Sequence, residues 1–165
     1  MMQFSNATVE EAAEIVEFYN RVGGETSYLS FEADEYPLNV EQQIQEIQSM
    51  DEHQLMLLVR EEGRLIGIGT MSTSHKVKAK HVTELGIVLS DTHHGQGVGT
   101  ILMKKLIQWA REDDSITKIR LDTRADNVKA VSLYMKLGFV VEGTLKQDTL
   151  WQGNYYDIYV MGKFI

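Results

Sequence analysis

The sequence predicts a mixed α/β fold in one domain that spans residues 1–165. Apolar spacing typical of helices alternates with apolar runs typical of strands, in the order β-α-α-β-β-β-α-β-α-β-β. A length of 165 residues suits one domain with a sizeable core. The single proline, Pro37, lies in a predicted loop, and no linker-like stretch divides the chain. We therefore expect about seven strands packed against about four helices.

The first part of the chain predicts a strand and two amphipathic helices. After a short strand over Gln3–Asn6, Thr8-Val9-Glu10-Glu11 has the form of a capping box. The helix that it starts is predicted over Val9–Arg21 and is expected to end at Gly23-Gly24, because glycine disfavours helix interiors. A polar loop then leads to Asn39, a favourable N-cap for a second, short helix.

Three strands are predicted before a glycine-rich turn. The first two, over residues 54–60 and 64–74, are joined by Glu61-Glu62-Gly63 and form a hairpin. A basic loop leads to the third strand, over residues 81–89. Gly86 lies inside that strand, where a glycine indicates a bulge or a close backbone approach.

The last part predicts two helices and three strands. A helix with Val98, Leu102 and Leu106 on one face is followed by a strand over residues 118–124. A helix over residues 128–137 is closed by Gly138 as its C′ glycine. Two final strands, over residues 139–147 and 155–164, are joined by a polar turn around Gln152-Gly153-Asn154.

The composition excludes several kinds of chemistry. The chain has no cysteine, which excludes disulfides, thiolate zinc sites and a cysteine nucleophile. No two of its five histidines have the i, i+4 spacing of H-E-x-x-H, so metal-free chemistry is expected. The net charge of −8 disfavours nucleic acid as a partner and suits a cationic small substrate, although solubility alone also explains it.

The sequence also indicates a location. No apolar run approaches the length of a membrane helix, and residues 1–6 lack the features of a signal peptide. We therefore expect a cytoplasmic protein without a membrane partner.

The run His94-Gly95-Gln96-Gly97-Val98-Gly99-Thr100 follows a strand and opens a helix. Its glycines allow the backbone to approach an anion, and the helix offers unpaired N–H groups, so a phosphate or pyrophosphate cradle is predicted. A P-loop would need Lys and Ser/Thr after the last glycine, where this chain has Thr100-Ile101. The dinucleotide fingerprint would need its third glycine at position 100, which is a threonine.

This run resembles the acyl-coenzyme A signature of the GNAT superfamily of N-acetyltransferases, Arg/Gln-x-x-Gly-x-Gly/Ala, with His94 at the first position. A second segment is similar to the family's Asn-x-x-Ala-x-x-x-Tyr-x-Lys-x-Gly-Phe pattern, and its matching residues are Asn127, Ala130, Tyr134, Lys136, Gly138 and Phe139. The order of elements is also that of the family. The resemblance covers nearly the whole chain.

The resemblance implies a mostly antiparallel sheet that splays at strands 4 and 5, with acetyl-CoA as the co-substrate. The pyrophosphate would lie on the glycine loop, and the pantetheine arm would pair with the preceding strand. The implied cofactor-binding residues are Ile87, Val88, Leu89, His94, Gly95, Gln96, Gly97, Val98, Gly99, Thr100, Asn127 and Tyr134.

The resemblance also assigns Tyr134 as the proton donor to the leaving thiolate. A phenol is protonated at neutral pH and can donate without tuning. Glu84 is the first candidate for the general base, because strand alternation places it on the side of Gly86 and Val88. Without a cysteine, direct attack by the amine in a ternary complex is favoured over an acyl-enzyme.

The sequence predicts the acceptor substrate less specifically than the co-substrate. The turn Trp151–Asp157 is similar to that of bacterial members that acetylate amino acids or other small amines, and Glu25, Glu32 and Tyr155 are candidate acceptor-binding residues. The two glutamates are also weaker alternatives for the base. A small primary amine is the leading substrate. Acetylation of a protein N-terminus or lysine, and a non-catalytic acyl-CoA-binding regulatory module, stay open, as does a homodimer formed through the late strands.

Overall fold

The computed structural model describes all of residues 1–165 and contains seven strands and four α-helices. The strands are β1 (Met2–Asn6), β2 (Gln54–Glu61), β3 (Arg64–Thr73), β4 (Val82–Leu89), β5 (Lys118–Arg124), β6 (Val140–Trp151) and β7 (Asn154–Phe164). The helices are α1 (Ala12–Glu25), α2 (Val40–Ser49), α3 (Val98–Arg111) and α4 (Val128–Lys136). Short 3-10 helices cover Val9–Glu11 and Asp91–His93. The predicted order of elements is confirmed.

The seven strands form one mixed sheet in the order β1-β2-β3-β4-β5-β7-β6. The pairs β1/β2, β2/β3, β5/β7 and β6/β7 are antiparallel, and β4/β5 is parallel. The β4/β5 ladder joins Val82–Glu84 to Lys118–Arg120, and both strands continue past it. A ladder that stops in mid-strand is what the predicted splay between strands 4 and 5 requires.

The chain divides into two compact units, which are described separately. The first contains residues 1–72 and 86–106, and the second contains residues 73–85 and 107–165. The assignment of residues 1–165 to a single domain stays a prediction. None of the helices has the length and apolar character needed to cross a bilayer.

The core of the first unit lies between α1 and the β2–β3 hairpin. Its buried members are Ile15, Phe18, Tyr19, Val22, Met56, Leu58, Leu65 and Ile68. On α3, the side chains of Leu102 and Leu106 approach β3 at Gly69, where a Cβ would lie only 2.8–3.1 Å from them. A larger residue at Gly69 would therefore require the Leu102 and Leu106 side chains to move.

Both predicted N-terminal caps in the first unit are confirmed. The Thr8 amide donates to the Glu11 carboxylate at 2.9 Å, which closes the capping box. The Gln42 amide donates to Asn39 Oδ1 at 2.9 Å at the start of α2. Each side chain satisfies an amide that the helix itself leaves unpaired.

The predicted end of the first helix at Gly23-Gly24 is wrong, because α1 continues through both glycines to Glu25. A Cβ on Gly23 would lie 2.6 Å from the Glu32 carbonyl oxygen, and one on Gly24 would lie 2.9 Å from the Ala33 Cβ. The glycines therefore let the following loop pack against the helix, and tertiary packing outweighs their low helix propensity.

The second unit contains α4, β5, β6 and β7. Gly138 has φ of +92° and closes α4 as predicted. The predicted end of β6 near residue 147 is wrong, since the strand continues to Trp151. A register shift between Leu145 and Thr149 interrupts the ladder, and Gln147 has φ of +52° there. The predicted strand ended too early because the residues at this bulge are polar.

Candidate functional site

The glycine-rich loop forms an open backbone turn before α3. Gly95 and Gly97 have φ values of +78° and +80°, which glycine adopts without steric cost. No heavy atom other than those of the neighbouring residues lies within 4 Å of a Cβ built at either position. The surface above the loop is therefore accessible to a ligand.

The first turn of α3 adds backbone N–H donors beside this loop. The Ile101 amide donates to the Gly97 carbonyl at 3.1 Å, so the amides of residues 98–100 come before the first intrahelical hydrogen bond. Unpaired amides at the positive end of a helix dipole bind anions. The loop and helix therefore form an open anion cradle, and the binding of a pyrophosphate there stays a prediction.

A short 3-10 helix holds the loop in place from the side of β4. The Asp91 amide donates to Glu25 Oε2 at 2.9 Å, and His93 Nε2 lies 3.0 Å from Glu61 Oε2. The Ser90 amide donates to the Ile66 carbonyl at 2.9 Å. Sequence reasoning missed these anchors, since the partners are distant along the chain.

The side chains of His94 and Gln96 contact the backbone of their own loop. His94 Nε2 lies 3.3 Å from the Leu89 carbonyl oxygen, and Gln96 Nε2 donates to the Thr92 carbonyl at 3.0 Å. These contacts shape the loop. Direct side-chain contact of either residue with a cofactor stays a prediction.

Glycines allow the second half of β4 to lie close to β3. A Cβ on Gly86 would lie 2.6 Å from Thr70 Oγ1, so the predicted close approach at this glycine is confirmed. A Cβ on Gly67 would lie 2.5 Å from the Leu89 side chain. Residues 87–89, whose backbone is predicted to bind the acyl arm, lie on β4 beyond the β5 ladder.

Tyr134 is a buried residue of α4. Its side chain packs edge-on against Phe139, with ring centroids 6.1 Å apart. Burial raises the pKa of Tyr134 to about 12. The phenol therefore stays protonated at neutral pH, as a proton donor requires.

Asn127 caps the N-terminus of α4. Its Oδ1 accepts from the Ala130 amide at 3.4 Å. The side-chain amide nitrogen of Asn127 is a donor that this cap does not use, and a contact between Asn127 and a cofactor stays a prediction.

Glu84 forms an ion pair with Arg120, the residue opposite it in the β4/β5 ladder, with 2.9 Å between Oε2 and Nη2. The side chains are 55% and 47% exposed, so the pair is solvated. Asp122 follows two residues after Arg120 and shares its face of β5. Burial and the nearby charge of Glu84 raise the pKa of Asp122, whereas Arg120 opposes that shift. Sequence reasoning did not propose Asp122 as a candidate base, because no local spacing indicates that the sheet brings it near Glu84.

The candidate acceptor-binding residues differ in their surroundings. The Glu25 carboxylate accepts from Arg21 Nη1 at 3.0 Å and from the Asp91 amide. Glu32 is exposed on the loop after α1, and Tyr155 is 61% exposed on β7 opposite Leu150. Glu25 and Glu32 belong to the first unit, and Tyr155 belongs to the second.

Comparison with known sequences finds one family and several curated relatives. Residues 15–139 match the acetyltransferase (GNAT) family. An L-amino acid N-acetyltransferase, AaaT, from Escherichia coli (strain K12) is 30% identical over 102 residues, which cover 62% of this chain and 63% of AaaT. A spermidine N(1)-acetyltransferase from Vibrio cholerae is 32% identical over 75 residues, covering 46% of this chain and 43% of that enzyme. The chain thus spans less than two thirds of the length of these relatives.

Solved structures match over the full chain. An acetyltransferase of the GNAT family from Streptococcus pneumoniae has a TM-score of 0.94 and 30% identity, and the match covers 100% of this chain and 99% of that one. The structure of yncA, a putative acetyltransferase from Salmonella typhimurium with acetyl-CoA, has a TM-score of 0.85 and 19% identity, covering 99% and 93%. The second likeness concerns the fold alone.

Proposed function

Because the chain belongs to the GNAT family of N-acetyltransferases, we propose that it transfers an acetyl group from acetyl-CoA to a primary amine of a small molecule, such as an amino acid or a polyamine. The observation that carries this proposal is the open cradle formed by Gly95, Gly97 and the first turn of α3. The activities of the amino-acid and spermidine acetyltransferases named above support the substrate class. The bound acetyl-CoA of the Salmonella relative supports the co-substrate.

Acetyl-CoA supplies an acetyl group activated as a thioester, and the chain supplies the groups that hold it. The amides of residues 95–100 bind the pyrophosphate, the backbone of residues 87–89 pairs with the pantetheine arm, and Asn127 adds an amide nitrogen. A β4 amide that donates to the thioester oxygen stabilises the charge that develops there. His94 and Gln96 keep the loop in shape through their backbone contacts.

The transfer needs three proton movements. The ammonium group of the acceptor first loses a proton to a base, and its nitrogen then attacks the carbonyl carbon while the C–S bond breaks. Tyr134 gives its proton to the departing thiolate. The second proton that the nitrogen loses replaces the one that Tyr134 gave. The products are an N-acetyl amine, free thiol and one released proton.

We propose Glu84 as the base, with Arg120 fixing its orientation through their ion pair. Asp122 is a second candidate, because its raised pKa brings it nearer to that of an effective base at neutral pH. The pH dependence of kcat/KM in Glu84→Gln and in Asp122→Asn distinguishes the two candidates, because only the variant that lacks the base should change it.

The proposed acceptor site uses Glu25, Glu32 and Tyr155. The net charge of −8 favours a cationic acceptor. A protein substrate is the second candidate, since a ribosomal-protein-serine acetyltransferase from Escherichia coli (strain K12) is 26% identical over 110 residues. A cytoplasmic location and metal-free transfer stay predictions.

A panel of amino acids, polyamines and peptides, each incubated with acetyl-CoA, tests the proposal by release of free thiol. We expect turnover with one or more small amines and kcat/KM values lower for peptides. Turnover with peptides alone would favour the protein substrate. Coenzyme A binding without turnover on any acceptor would favour a regulatory module.

A further inference from the structure

We propose that Glu25 is a positioning residue, which holds the phosphate cradle and joins it to the loop between α1 and α2. The inference rests on the proposed binding of acetyl-CoA, and it gives Glu25 a role beyond the predicted contact with the acceptor. The role follows from three sets of contacts, all within the first unit.

The first set lies at the start of the Asp91–His93 turn. Glu25 Oε2 accepts from the Asp91 amide at 2.9 Å, and Glu25 Oε1 accepts from Arg21 Nη1 at 3.0 Å. Both oxygens are thus engaged, and the Glu25 side chain is only 24% exposed. A charged acceptor makes this a stronger hydrogen bond than a neutral one.

The second set lies at the end of the same turn. His93 Nε2 lies 3.0 Å from Glu61 Oε2, and His93 Nδ1 lies 2.9 Å from Thr92 Oγ1. The turn is therefore held at both ends, by α1 through Glu25 and by β2 through Glu61. Gly95 and Gly97 come directly after it and lack a side chain to fix them, so the anchored turn sets where their amides point.

The third set ties the loop after α1 to the same helix end. The Gly23 Cα faces the Glu32 carbonyl so closely that a Cβ would lie 2.6 Å from its oxygen. The Tyr36 amide donates to Asn20 Oδ1 at 2.9 Å, and the Tyr36 ring stacks on Tyr19 with centroids 4.4 Å apart.

The last turn of α1 thus contacts the cradle on one side and the α1–α2 loop on the other. A ligand that orders the cradle also restrains this helix end, and the helix end carries the loop.

Charge alone predicts the opposite effect of removing this carboxylate. A negative side chain near the cradle repels a pyrophosphate, so an electrostatic role would make Glu25→Ala bind coenzyme A more tightly. A positioning role makes the same variant bind it more weakly. The electrostatic role and the positioning role therefore predict opposite changes in the coenzyme A affinity of Glu25→Ala.

The test compares acetyl-CoA with S-acetylpantetheine, a donor that lacks the pyrophosphate. In Glu25→Ala we expect the Kd for acetyl-CoA, measured without acceptor, to rise about tenfold, the loss of one charged hydrogen bond, while the Kd for S-acetylpantetheine stays within twofold of wild type. Glu25→Gln keeps an oxygen for the Asp91 amide and should recover most of the loss. The control Glu17→Gln makes the same charge change on the exposed face of α1 and should match wild type.

Equal losses with both donors would overturn the proposal, because they would indicate a general folding defect. A lower or unchanged Kd for acetyl-CoA in Glu25→Ala would also overturn it. Calorimetric titration with coenzyme A keeps the test separate from the proposed function. If wild type binds coenzyme A but transfers no acetyl group, the enzyme proposal fails. Coenzyme A binding that is weaker in Glu25→Ala than in wild type would then still support the positioning role of Glu25. If wild type does not bind coenzyme A, both proposals fail.

Discussion

Tyr134, the proposed proton donor, combines a packing role with a proposed chemical role. Tyr134 is 8% exposed, contacts Phe139 edge-on and has a pKa raised by burial to about 12. Because the folded phenol holds its proton to higher pH than a free one, it remains a donor across the neutral and mildly alkaline range. The same burial makes the ring part of the core of the second unit.

Tyr134→Phe separates these two roles. Phenylalanine keeps the ring contact with Phe139 and removes the proton donor. We expect kcat to fall about 100-fold, with little change in KM for acetyl-CoA or in Tm. Thiol release measured by absorbance and a thermal melt provide both readouts. An unchanged kcat would remove Tyr134 from the transfer step.

His94→Arg tests the alignment of the cradle. Histidine stands where the family signature has Arg or Gln, and its ring contacts the Leu89 carbonyl and lies 3.6 Å from Asp91 Oδ1. An arginine adds a charge that can reach a phosphate, so coenzyme A affinity should stay equal or increase, as measured by calorimetry. A large loss of affinity would show that the loop does not correspond to the signature.

Candidate site residues were predictable where a local motif carries them. The open glycine loop could be predicted because its spacing is fixed within one segment, and the role of Tyr134, carried by a second such segment, stays a prediction. The anchoring role of Glu25 was not predictable, because its partner Asp91 lies 66 residues away and the contact is made by a backbone amide. Asp122 was overlooked as a base because its pKa depends on Glu84 and Arg120, which the sheet brings beside it.

At the scale of elements, α1 shows where local propensity fails. A pair of glycines normally ends a helix, yet here they allow the next loop to approach within contact of the helix backbone. The sequence marks both glycines but cannot distinguish a break from a close contact, because the contacting residues Glu32 and Ala33 are brought there by the tertiary fold. Caps, by contrast, were predictable because each depends on residues within three positions.

Gly23→Ala is expected to destabilise the protein despite the higher helix propensity of alanine. The new Cβ would lie 2.6 Å from the Glu32 carbonyl oxygen, a backbone atom that cannot move alone. The strain should cost about 1–3 kcal/mol and exceed the gain of about 1 kcal/mol from propensity. Denaturant unfolding measures the difference. Gly143→Ala, where no atom lies within 4 Å, is the control, and a stabilised Gly23→Ala would contradict the packing.

Ion pairs of Arg60 join the start of the first helical segment to β2. Arg60 Nη2 lies 2.6 Å from Glu14 Oε2 and 3.0 Å from Glu11 Oε1. Its hydrogen bond lowers the pKa of Glu14, against the effect of burial. Because the folded carboxyl binds a proton less tightly than the unfolded one, this stabilisation exists at neutral pH and is lost as pH falls through the lowered pKa.

Arg60→Met should therefore lower the free energy of unfolding by about 1 kcal/mol at neutral pH, a modest amount because Glu14 is partly exposed. The difference from wild type should shrink as the pH falls below the ordinary Glu value of 4.5. Thermal melts over a pH series measure it. The matched control is Arg64→Met, at an exposed position of β3. A difference independent of pH would assign the loss to packing.

At the scale of the whole molecule, the fold was predictable because independent signals agree. The element order, the glycine loop and the Asn127–Phe139 segment each indicate the same family, and the full-length match with a TM-score of 0.94 bears this out. The acceptor was less predictable, because the predicted residues Glu25, Glu32 and Tyr155 lie on segments without a recurring motif. In the proposed function, a net charge of −8 would attract a cationic acceptor and repel the anionic cofactor, so the affinity for the cofactor would have to come from local contacts such as the cradle amides.

The most direct test of acetyl transfer to a small amine is the stoichiometry of the reaction, followed by mass spectrometry. Acetyl-CoA and the best amine of the panel are incubated with wild-type protein, and product and free thiol are counted together. We expect one acetyl group on the amine nitrogen for each thiol released, and no thiol without an acceptor. Thiol release without an N-acetylated product, or no release with any small amine, would contradict the proposed function.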